Sequence, residues 1–171
     1  MRKGFCRSCF SAVCEKRIKR ALRKRFRRGQ KVLVVGSLAK HYFQKLIMLP
    51  LDITFRTFRS YDVRDREAIF RSASFRRDLA RFDAVVLEWS LDDDISYFLS
   101  SVFSGGSAVF PGNIVRIFAG VPDDDLIFLS GGKGFRKGRR LAFHGLIESL
   151  EKSYPEVRNS FVRSIRLMER L

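Results

Sequence analysis

Three groups of residues in this chain have types and spacings that could do chemistry. Cys6-x-x-Cys9 is the spacing of one knuckle of a tetrahedral thiolate site, which closes around zinc only when two more ligands are supplied. Cys14 is either a third ligand or a core residue, since a free cysteine is among the most buried residue types. The two histidines, His41 and His144, lie far from the cysteines in sequence and do not by themselves complete a site. Asp92, Asp93 and Asp94 form a carboxylate cluster that could hold magnesium. The same cluster would also stabilise the positive end of a helix starting there. The third group is basic: Lys16, Arg17, Lys19, Arg20, Arg23, Lys24, Arg25, Arg27 and Arg28, joined later by Lys133, Arg136, Lys137, Arg139 and Arg140. Runs of this kind neutralise the phosphates of a polyanion.

Elements must hold these groups in place. Residues 1–12 read as a short Cys-bearing lead. From about Val13 to Arg28 the pattern predicts a helix, because Cys14, Ile18, Leu22 and Phe26 recur every four residues as one apolar stripe. Gly29 is then placed to end it. Lys31–Val35 and Phe82–Leu87 are short β-branched runs of the sort found in buried parallel strands. Asp52–Arg59 alternates as a further strand, and Ile114–Phe118 and Leu126–Phe128 are short apolar stretches near the end of the core. Residues 38–49, 64–81 and 92–103 read as helices, with Gly105-Gly106 closing the last. Two more helices, about Leu141–Ser153 and the segment after Pro155 carrying Val157, Phe161, Ile165, Met168 and Leu171, finish the chain. Strands alternating with helices imply an α/β fold around a parallel sheet. The expected division is a Cys-containing basic lead (1–29), an α/β core (30–131) and a C-terminal helical region (132–171). The ligand crevice of such a sheet lies beyond the strand carboxyl ends, here near residues 36–40 and 88–94.

Charge narrows the partner. The 171 residues carry 34 Lys and Arg against 18 Asp and Glu, a net +16 with an isoelectric point near 10.6. That field attracts nucleic acid and exceeds what solubility requires. No run approaches the ~18 apolar residues of a membrane span, and the basic start has no apolar signal region. A cytoplasmic protein without membrane contact is the expectation. Three clustered cysteines do not make a disulfide framework.

The order of these pieces resembles the TtuA-like tRNA thiolases of the PP-loop ATP-pyrophosphatase superfamily. In that family a Cys-bearing zinc ribbon leads into a basic helix, a strand and an SGGKDS phosphate loop. Here the corresponding pieces are Cys6-Arg-Ser-Cys9, Glu15–Lys24 and Gly29–Ser37. Leu91–Asp94 with Phe98-Leu99 and Gly105-Gly106, then Ile114–Ile117, then Ile147–Glu156 with Phe161–Ile165, resemble later motifs of the family in order. The likeness spans nearly the whole chain, least in 52–82, which is shorter than usual for the family.

The departures from the family pattern bear on activity. Aligned with the phosphate loop is Ser37-Leu38-Ala39-Lys40-His41-Tyr42, in which both glycines are replaced and the Asp is His41. Side chains at Leu38 and Ala39 crowd a close phosphate approach, and the lost Asp removes a magnesium contact. The family's iron–sulfur or sulfur-carrying cysteines have no counterpart after Cys14. The resemblance therefore implies a degenerate member with no catalytic residues, a degenerate nucleotide loop at Ser37, Leu38, Ala39 and Lys40, and no ATP cofactor. Zinc on Cys6 and Cys9, and a residual nucleotide or metal contact at Asp92 and Asp93, remain as alternatives. It implies a non-catalytic tRNA-binding subunit for 2-thiolation of the wobble uridine, paired as a heterodimer with an active PP-loop thiolase, or else as a homodimer. A divergent active thiolase and a stand-alone RNA-binding protein are the competing readings. Phe98, Phe103 and Phe110 are either an exposed pairing patch or core.

Overall fold

The computed structural model of the chain describes residues 6–23, 25–61, 66–105, 110–131 and 143–168. Among them four strands, β1 (Lys31–Val35), β2 (Asp52–Arg56), β3 (Ala84–Ser90) and β4 (Ile114–Phe118), form one sheet in the order β2-β1-β3-β4. Every strand pairing is parallel. Helix α1 (Arg7–Leu22) precedes the sheet; α2 (Ser37–Leu46), α3 (Ala73–Arg81) and α4 (Leu91–Phe103) connect its strands. Helices α5 (Asp123–Ser130), α6 (His144–Ser153) and α7 (Val157–Met168) follow it, and two short 3-10 turns, Phe58–Tyr61 and Glu67–Arg71, lie between β2 and α3. The α/β fold with a parallel sheet is as the sequence implies.

Why these segments are strands is visible in their burial. All seven residues of β3 and four of five in β1 are buried, so the sheet centre is covered on both faces, as parallel sheets require. Val32, Val34, Ala84 and Val86 face Phe10, Cys14, Ile18, Leu22 and Phe26 of the N-terminal segment, together with Tyr42, Phe43 and Leu126. Leu33, Val35, Val85, Leu87 and Trp89 face the other way, onto Tyr61, Ile69 and Phe75. A third cluster joins Leu91, Ile95 and Leu99 of α4 to Ile147 of α6 and Ile165 of α7.

Several boundaries differ from the periodicity. Helix α1 begins at Arg7, capped by Cys6, so the cysteine lead is its first turn and not a separate segment. It ends at Leu22, and Arg23 is already extended; Gly29, at φ +79°, serves a turn seven residues beyond the last helical residue. Leu126–Phe128 lies inside α5, which three aspartates, Asp123, Asp124 and Asp125, start by placing charge on its positive end. Within the expected 64–81 helix, Glu67–Arg71 is a 3-10 turn and α3 begins only at Ala73, after a break at Ser72, and β2 stops at Arg56.

The strand order places the site. The chain leaves β1 outward to β2, then returns past β1 to β3 on its other side. The carboxyl ends of β1 and β3 are therefore neighbours from which α2 and α4 diverge, the switch point where open α/β sheets hold ligands.

Candidate functional site

Gly36 ends β1 at φ +113°, a conformation L side chains rarely adopt. A Cβ there would overlap the Cβ and carboxylate of Glu88 on β3. The N-cap of α2 is this glycine, which has no side chain to satisfy the orphan amides of the first turn. Glu88 satisfies them: its Oε2 accepts the N–H of Leu38 at 2.7 Å and that of Ala39 at 3.2 Å. Amide donors and the helix dipole make this terminus an anion site, and the anion in it is the chain's own side chain. Burial pushes the Glu88 carboxyl above the usual carboxylate range, while Arg66 and the two amides draw it back.

Arg66 is 8% exposed and closes the other side of that carboxylate. Its Nη2 lies 3.4 Å from Glu88 Oε1 and its Nη1 2.5 Å from Asp93 Oδ2. Asp93 also completes a reciprocal cap of α4: the Ser90 N–H reaches Asp93 Oδ2 at 2.9 Å, and the Asp93 N–H reaches Ser90 Oγ at 3.1 Å. Asp92 receives Arg158 Nη1 of α7 at 2.5 Å and the Asp123 N–H at 2.7 Å. Asp94 pairs with Arg116 of β4 at 2.7 Å.

Among the described residues, this network joins five buried carboxyls (Glu88, Asp92, Asp93, Asp94 and Asp123) to the guanidinium groups of Arg66, Arg116 and Arg158. Within it, burial and then the Asp93 charge push the Asp123 carboxyl up to about 7. The switch point is thus filled by side chains from β3, α4, α7 and the segment before α3.

The expected loop residues fall as follows. Leu38 and Ala39 are buried with their amides on Glu88. Ser37 is exposed, and the exposed Lys40 lays its Nζ 4.8 Å over the Phe55 ring on β2. Exposed His41 packs edge-on to Tyr42. Asp92 and Asp93 serve the ion pairs and cap just described. Among the described residues no group of three or more His, Cys, Asp or Glu is arranged to hold a metal ion.

Most basic side chains of α1 and the turn after it are at the surface. Lys16, Lys19, Arg20, Arg23, Arg27 and Arg28 are exposed; Arg17 is half-buried and donates to the Gly120 carbonyl at 3.0 Å. A groove of about 1610 Å³ runs between α1, β4, α5 and α7, lined by Arg17, Arg20, Arg25 and Arg163 and, between them, by acidic residues including Asp94, Asp124 and Glu151. Lys24, Lys133, Arg136, Lys137, Arg139 and Arg140 lie outside the described residues, as does the side chain of His144.

Cys14 is 1% exposed within the α1 stripe, and its thiol is pushed up to about 11 by burial. Cys6 and Cys9 are exposed at the other end of the helix. Hydrogen bonding to Ser8, then to the Cys9 amide, lowers the Cys6 thiol to about 7. The three phenylalanines do not share a surface. Phe110 joins an aromatic cluster with Phe70, Trp89 and Tyr97, Phe98 packs on the α4–α7 cluster, and Phe103 stays 70% exposed, stacked on Phe143.

No family model matches the chain, and no curated protein matches it. Among solved structures it is similar to the U34-tRNA thiolase NcsA from Methanococcus maripaludis, determined with its 4Fe–4S cluster. The TM-score is 0.67 at 15% identity, covering 98% of this chain and 81% of that one. The fold is that of a PP-loop thiolase. A 4Fe–4S cluster calls for converging cysteine thiolates. This chain has three cysteines in all, with Cys14 in the core and Cys6 and Cys9 exposed away from it. These residues do not fit such a cluster.

Sequence reasoning placed the crevice but missed its contents. Glu88, Arg66, Arg158 and Asp123 are the residues that fill it. The available signal was an acid inside a strand otherwise apolar from Ala84 to Trp89, where an unpaired charge is not tolerated.

Proposed function

We propose that this chain is a non-catalytic, tRNA-binding member of the PP-loop thiolases that supports an intact thiolase in 2-thiolation of the wobble uridine. The observation that carries the non-catalytic part is the Glu88 carboxylate on the Leu38 and Ala39 amides. A PP-loop activates its substrate by cradling nucleotide phosphates on these donors. A carboxylate held there by Arg66 excludes them, and the Lys40 ammonium packs on the Phe55 ring. The fold and the exposed basic face of α1 support tRNA as the partner. A chain that cannot activate its substrate contributes chemistry only through a partner, so the reading includes a heterodimer with a catalytically intact thiolase, in the cytoplasm. A homodimer is the alternative assembly.

The test is reconstitution. The chain alone, given tRNA and ATP, should release no pyrophosphate above background. It should raise tRNA affinity or turnover when mixed with the host's intact thiolase, with a heterodimer seen by light scattering. Pyrophosphate release by the chain alone that vanishes in Lys40→Ala would establish the active-thiolase reading instead. Tight tRNA binding by a monomer indifferent to that thiolase would leave a stand-alone RNA-binding protein.

A further inference from the structure

The N-terminal turn of α1 carries a cluster that the proposed function does not use. Cys6 is the N-cap of a 16-residue helix, and its Sγ accepts the Cys9 N–H at 3.4 Å. Ser8 Oγ lies 3.0 Å from the same sulfur. Both thiols are exposed, and Cys9 follows three residues on, with its thiol in hydrogen-bonding contact with that of Cys6. Two sulfurs do not close a tetrahedral metal site. Cys14 is buried in the core, and among the described residues no third metal-ligating side chain joins the pair.

We propose that Cys6 and Cys9 are a dithiol that exchanges with disulfides, with Cys6 as the attacking sulfur and Cys9 as the resolving one. The helix terminus stabilises negative charge on the N-cap sulfur and leaves it open to a partner. The Cys6 thiolate attacks one sulfur of a disulfide R–S–S–R′, forming Cys6–S–S–R and releasing R′–S⁻, which takes a proton from water. Cys9 gives its proton to solvent and attacks Cys6 Sγ. The Cys6–Cys9 bond forms and R–S⁻ leaves, to be protonated in turn. Two electrons pass from the dithiol to the disulfide, and the same steps reverse to oxidise a dithiol partner.

Glutathione redox buffers with acid quenching, alkylation and mass mapping test this on the full chain. Wild type should close a Cys6–Cys9 disulfide without accumulating a glutathione adduct. Cys9→Ser should trap one glutathione on Cys6. Cys6→Ser should react at Cys9 about ten-fold more slowly, because only the N-cap sulfur sits on the helix amides. Cys14→Ser should leave exchange unchanged. Both exposed sites tolerate serine, and circular dichroism checks that the variants are folded. Equal adduct rates at Cys6 and Cys9, or stable adducts on wild type with no closed pair, would overturn the proposal. So would stoichiometric zinc, bound by the reduced protein, that blocks exchange.

Discussion

Replacing Glu88 tests the site most directly. Glu88→Ala removes the acceptor of two buried amides, Leu38 N–H and Ala39 N–H, and one of the partners of Arg66. Each amide left unsatisfied costs about 1–3 kcal/mol. Arg66 keeps Asp93, so its charge is not stranded. The expected loss is about 3–5 kcal/mol, allowing for the ion pair. For a chain of this size that lowers the melting temperature by roughly 6–20 °C, at about 2–4 °C per kcal/mol. Glu88→Gln keeps an acceptor of the same size and should lose about half as much. The vacated terminus should then take an anion. Pyrophosphate at about 100 times its Kd would return about 2.7 kcal/mol to Glu88→Ala and nothing to wild type. Differential scanning calorimetry with and without pyrophosphate reads both effects. An alanine variant that melts with wild type, or a wild type equally stabilised by pyrophosphate, would refute the reasoning.

Three further predictions follow from the same structure. Gly36→Ala should destabilise by at least about 2 kcal/mol, from the positive φ and the overlap with Glu88; urea titration checks it. Asp123 has its carboxyl raised to about 7 on folding, so it favours the native state below pH ~4 and loses that contribution as pH rises to ~7. Asp123→Asn should therefore match wild type near pH 4 and exceed it at pH 8 by at most about 4 kcal/mol, measured as the difference in denaturant midpoint between the two proteins across pH. Wild type binding structured tRNA through about five phosphates should show a log–log salt slope near −4 to −5. Neutralising Arg20, Arg23, Lys24 and Arg27 should flatten that slope and weaken all tRNA sequences alike; filter binding across salt concentrations reads it, and an unchanged slope would move the interface off this segment.

The sequence by itself determined the α/β class, the strand positions and the core role open to Cys14, because period and β-branching report local burial directly. Val32, Val34, Val85 and Leu87 are buried where their apolar runs place them. It also pointed to the strand carboxyl ends at 36–40 and 88–94, where parallel sheets hold ligands, whereas the order β2-β1-β3-β4 that makes two of those ends neighbours belongs to the tertiary structure. It did not reveal that Cys6 caps an α1 beginning at Arg7, because a cysteine cap lacks the Ser, Asp or Asn signature of a helix start. Nor did it reveal what fills the crevice. Glu88 meets Leu38 across 50 residues, Arg66 meets Asp93 across 27, and Arg158 reaches Asp92 across 66. Local periodicity carries no information on such pairings. They exist because parallel strands bring β1 and β3 side by side with their carboxyl ends together, and because buried charges must find partners wherever the packing puts them.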